Sequence, residues 1–129
     1  MIHHKALHHP NFGLLILRLA VGLVFMYEGY LKLHGMTQTI MFFHMIGLGA
    51  FWAWVTALVE LIGGFMMIAG YGIQLAGLLL TIVMIVAVTK VAGSEGFMLA
   101  LGPIMLGIAA LSLTFSGSGK YGFDNSLSK

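Results

Sequence analysis

Five ionisable side chains stand inside or at the edges of stretches that are otherwise almost wholly apolar: Arg18, Glu28, Lys32, Glu60 and Lys90. A charge in hydrocarbon is costly unless it is paired or hydrated, so such groups face a bundle interior and mark ligand sites or proton paths. Helical spacing puts Arg18, Gly22, Phe25, Gly29 and Lys32 within about 40° of one line. Glu28 flanks that stripe four residues before Lys32, the favourable order for an ion pair on one helix. Glu60 shares its face with Ala53, Thr56, Ala57, Gly63, Gly64 and Met67. Those mostly small residues let a neighbouring helix approach closely. At 1.5 Å rise per residue, Arg18 lies roughly 9 Å and Glu60 roughly 15 Å from the same membrane side. The spacing therefore predicts an Arg18–Glu60 ion pair, either as a wall of a ligand or quinone site or as a purely structural pair. Lys32 and Lys90, one near each end of its helix, suit snorkelling anchors. Glu28 suits a partner of Lys32 or a carboxylate that exchanges protons.

Other chemistries find less support. The chain has no cysteine, which removes disulfides, thiolate metal sites and thiol redox chemistry from this subunit. His4 and His8 have the i,i+4 spacing of a metal pair, but no carboxylate or cysteine completes a ligand set, so no metal is expected. His34 and His44 fall outside the long apolar runs, and haem ligation inside a bundle would want histidines on facing helices. No nucleophile–base constellation or glycine-rich phosphate loop is present. Six Lys and Arg residues are scattered along the chain for a net charge of +2, which is no nucleic-acid surface.

The elements that must position these residues are membrane helices. The 129 residues are 60% hydrophobic and 8% charged, with a mean hydropathy of +1.02. That composition predicts an integral membrane protein with one domain over residues 1–129, because a spanning helix needs about 20 apolar residues. Spans are predicted at 12–33, 51–70, 73–91 and 97–115, with a polar tail over 116–129. Pro10 suits a helix start. Residues 37–48 carry too short an apolar run to cross and predict an interfacial helix between the first two spans. Trp52 and Trp54 suit a membrane–water boundary. Gly70-Tyr71-Gly72 divides the second span from the third, and a kink is expected near Gly102-Pro103. The fold class is thus an all-α, four-transmembrane-helix bundle. Arg18 interrupts the first apolar run and no small-residue cleavage site follows, so that segment is expected to be retained rather than removed as a signal peptide. Four spans put both termini on one side, and the distribution of Lys5, Lys120 and Lys129 against Lys32 and Lys90 favours the cytoplasm for them.

These residues, in this order, resemble the DoxX family of small four-helix membrane proteins. The resemblance rests on Arg18-Leu-Ala-x-Gly22-x-x-Phe25 and Gly29-x-x-Lys32 in the first span and Glu60-Leu-Ile-Gly63-Gly64 in the second. Met84-x-x-Ala87 follows in the third, then Gly117-x-Gly119-Lys120-Tyr121 and Asp124 in the tail. Gly122-Phe123 stands before Asp124 where the family usually shows Ser and an apolar residue. The resemblance implies a prokaryotic cytoplasmic (inner) membrane protein with cytoplasmic termini. It also implies kinship with the membrane subunit of a thiosulfate:quinone oxidoreductase, or with anchors that assemble soluble redox enzymes. Arg18, Glu60 and Lys32 would then be the candidate quinone contact.

The leading functional expectation is a redox-associated membrane subunit that engages quinone or anchors a soluble oxidoreductase or a second membrane subunit. It would be at most one subunit of a quinone-linked enzyme, because its side chains could position a quinone and move protons but not carry electrons. Two other classes compete. One is a small proton-coupled transporter acting as a dimer, a homo-oligomer, although the essential Glu of such exporters lies on their first helix. The other is a structural membrane scaffold.

Overall fold

The computed structural model describes residues 7–127. Four long helices are each long and apolar enough to cross a membrane. Helix α1 spans Pro10–His34, with Pro10 in its first turn, where a missing N–H costs nothing. Helix α2 spans Met36–Met45, α3 spans Ala50–Ala69, α4 spans Ile73–Glu95 and α5 spans Phe97–Ser116. The predicted spans and the short helix after the first of them are therefore present. Pro103 is accommodated within α5, which runs without a break. The tail adds one short turn of helix, α6, at Phe123–Leu127.

Glycine sets both the turns and the closest helix contact. Gly70 takes a left-handed conformation (φ 72°) that ends α3, with its N–H and that of Tyr71 donating to the Met66 carbonyl. Gly72 (φ 60°) then starts α4, so two left-handed residues reverse the chain. Gly22 lies against Gly64 and Ile68, and Gly29 against Ala57 and Leu61. A Cβ on Gly29 would stand 2.5 Å from the Leu61 nitrogen, so α1 and α3 meet backbone to backbone. The buried faces are largely the ones the spacing predicts: Arg18, Gly22, Phe25 and Gly29 on α1, joined by Val21, and Ala53, Ala57, Glu60, Gly63, Gly64 and Met67 on α3, while Lys32 and Thr56 of the predicted stripes are only partly buried.

The bundle is two antiparallel pairs, α1 with α3 and α4 with α5, joined at the Gly70–Gly72 turn. Near that turn the pairs are filled by Val21, Phe25, Met67, Ile73, Ala76, Leu80, Met84, Ala110 and Leu113. At the opposite end the packing opens, and α2 lies beside the opening. One half of the bundle is solid and the other half is hollow.

Candidate functional site

At the solid end Arg18 is 1% exposed and hydrogen-bonded on all three guanidinium nitrogens. Its Nε donates to the Met67 carbonyl and its Nη2 to the Ile68 carbonyl, each at 2.9 Å. These carbonyls belong to the last turn of α3, where Met67 otherwise accepts only a long bond from the Gly70 N–H (3.3 Å) and the negative end of the helix dipole lies. The Nη1 donates at 2.9 Å to the carbonyl of Ser118 in the tail. A planar fork with five N–H donors suits three fixed carbonyls in a way that an ammonium does not.

The tail folds back over this end. The Asp124 carboxylate accepts from the N–H groups of Gly72 (2.8 Å) and Ile73 (3.0 Å) and so caps the start of α4. The Asp124 N–H donates to the Gly70 carbonyl at 2.8 Å. The Lys120 N–H donates to the Asn11 side chain at 2.9 Å. Gly117 and Gly119 hold positive φ. Gly122 is wedged among Ser118, Gly70 and Arg18, where a Cβ would collide with Ser118. Glycine at position 122 leaves the room that Ser118 and Arg18 occupy there. Tyr121 is half-exposed and makes no part of the tie.

The hollow end holds a cavity of about 740 Å³ between the two helix pairs. Its walls are apolar, among them Phe43 of α2, Trp52 and Val59 of α3, Val83 of α4 and Pro103 of α5. Glu28, Lys32, Thr56, Glu60 and Lys90 supply its polar groups. Lys32 Nζ stands 2.7 Å from Glu60 Oε1 and 3.8 Å from Glu28 Oε2. Glu60 is almost wholly buried, whereas the Glu28 side chain is 46% exposed. The Lys32–Glu60 contact is thus a close ion pair at the cavity wall.

The predicted Arg18–Glu60 ion pair does not form. The depth comparison takes the ends of α1 and α3 as level, but α1 begins well beyond the end of α3. The Gly22–Gly64 contact puts Arg18, one turn earlier, beside Gly70. Glu60 is then ten residues away along α3, about 15 Å. Lys32, expected as an anchor, is the partner of Glu60 instead. The structure thus brings Glu28, Lys32, Glu60 and Lys90 to one cavity and sends Arg18, Gly117, Gly119, Lys120 and Asp124 to the other end. Asn11 and the Ser118 carbonyl escaped the sequence reading, since neither carries a charge. The His4–His8 spacing, from which no metal is expected, involves His4, which lies outside the described residues. Among the described residues no cluster of His, Asp or Glu could hold a metal ion.

A family model described as DoxX matches residues 13–93. That span includes Arg18, Glu28, Lys32, Glu60 and Lys90 and stops short of the tail. A curated relative from Bacillus subtilis (strain 168), named "Putative oxidoreductase CatD", is 40% identical over 86 residues. The alignment covers 67% of this chain and 64% of that relative, so the chain spans rather less than two thirds of its length. No solved structure matches the chain significantly.

Proposed function

This chain belongs to the DoxX family, and from that premise we propose that it is a redox-associated membrane subunit that holds a quinone in the hollow half of its bundle. The observation that carries the reading is the cavity itself: an apolar pocket between helix pairs with a charged cluster on its wall. Ligand sites of this size and lining are common between helices, where a few polar groups fix orientation. A quinone fits that chemistry, since its tail and ring face suit the apolar walls and its carbonyl oxygens need donors. Lys32 and the Thr56 hydroxyl would be those donors, and Glu60 would hold the Lys32 ammonium in place. A bound quinone supplies a two-electron, two-proton couple that the side chains of a cysteine-free chain lack. The electrons would come from a soluble oxidoreductase. The setting would be the cytoplasmic membrane of a prokaryote, with both termini cytoplasmic.

Trp52 lines the cavity and Trp54 does not, which gives a direct test. In lipid nanodiscs, menadione should quench Trp52 saturably in a Trp54→Phe background. The complementary Trp52→Phe protein should show only the linear quenching of quinone dissolved in lipid. Glu60→Gln should weaken the saturable phase about tenfold. Linear quenching of both tryptophans would remove the quinone site.

A further inference from the structure

Among the described residues, four titratable side chains line the cavity: Glu28 and Lys32 of α1, Glu60 of α3 and Lys90 of α4, while α2 and α5 contribute none. Three of them form a chain from outside to inside. Glu28 is half-exposed, Lys32 is partly buried and Glu60 is sealed, with Lys32 in contact with both carboxylates. Glu28 lies about one and a half turns from the end of α1, or about 9 Å. A carboxylate exposed at that depth would meet hydrocarbon unless the cavity mouth is wet.

We propose that Glu28 is the proton port of the cavity, exchanging protons between water at the mouth and the Lys32 ammonium inside. The step is balanced within the chain. Lys32 gives a proton to an acceptor in the cavity, the Glu28 carboxylate then takes one from water at the mouth and passes it to the neutral Lys32 amine, and both groups return to their starting state. The gap of 3.8 Å between Lys32 and Glu28 is closed by a small rotamer change or by one bridging water. Glu60 cannot serve as the port, because almost none of it reaches the surface. Its part is to keep the ammonium at the wall. That a quinone is the acceptor rests on the reading above, whereas the port itself does not.

The test reads the chain's own protons. In nanodiscs carrying isotope-labelled lysine, nuclear magnetic resonance gives the rate at which the Lys32 ammonium exchanges with water. Glu28→Gln should slow that exchange tenfold or more, and Glu28→Asp, which keeps a carboxylate, should hold it within about threefold of the wild type. Menadione binding to the unaltered protein, read from Trp52, is measured separately. Unaltered Lys32 exchange in Glu28→Gln overturns the port. If Glu28→Gln fails to fold, Glu28→Asp with exchange as slow as in a Lys32–Glu60 pair cut off from water overturns it equally. Slowed exchange in a protein that binds no menadione upholds the port and overturns the quinone reading alone.

Discussion

At the scale of single residues, the two most deeply buried charges have different employments. Arg18 is consumed by backbone: three carbonyls from α3 and the tail occupy its guanidinium. Glu60 is held by one lysine and borders open space. Residues this far apart with no shared partner behave additively, whereas an ion pair does not. Arg18→Gln should cost about 3 kcal/mol or more, since hydrogen bonds from a charged donor to buried carbonyls are lost together. Its effect should add to that of Glu60→Gln within about 0.5 kcal/mol. Lys32→Met and Glu60→Gln should instead couple by about 1 kcal/mol or more. Thermal and denaturant unfolding of the purified variants in detergent measures both cycles. Coupling between Arg18 and Glu60 of that size would contradict the placement of Arg18 at the solid end.

At the scale of elements, the helices were legible and their register was not. Apolar run lengths, Pro10 and the Gly70–Gly72 punctuation located four spans, and the small-residue stripes largely named the buried faces of α1 and α3. What a stripe cannot state is how far one helix slides along the other. Arg18 sits at the last turn of α3 and is tied to the tail, as is Asn11, by contacts about a hundred residues apart in sequence. The cavity was equally hidden, because a void is a property of the interval between helices and no residue announces it. Close packing within the α1–α3 pair makes its own prediction. At Gly29 an added methyl meets fixed backbone, whereas at Gly13 it meets open space. Gly29→Ala should destabilise by about 1–3 kcal/mol through overpacking. Gly13→Ala should be neutral or stabilise by up to about 1 kcal/mol, because alanine is the better helix former. Melting temperatures of the two variants, expressed and purified alike, decide the point.

At the scale of the whole molecule, the division into a solid half and a hollow half separates what keeps the bundle together from what it offers to a ligand. Filling the hollow half should therefore leave the fold alone. Val83→Phe, which adds no second indole, projects a ring into the cavity and should weaken saturable quenching of Trp52 by menadione while shifting the melting temperature by only a few degrees; a collapse of the fold would show that the space is part of the core. The solid half has a consequence in time as well as in space. Arg18 leaves the ribosome a hundred residues before Ser118, whose carbonyl takes its third hydrogen bond, and Asp124 follows the α4 amides it caps by about fifty. During synthesis the arginine waits in or near the bilayer until α3 supplies its first two acceptors, and its third stays unmade until the last segment arrives. The tail is the keystone of the arch, set after the stones it holds.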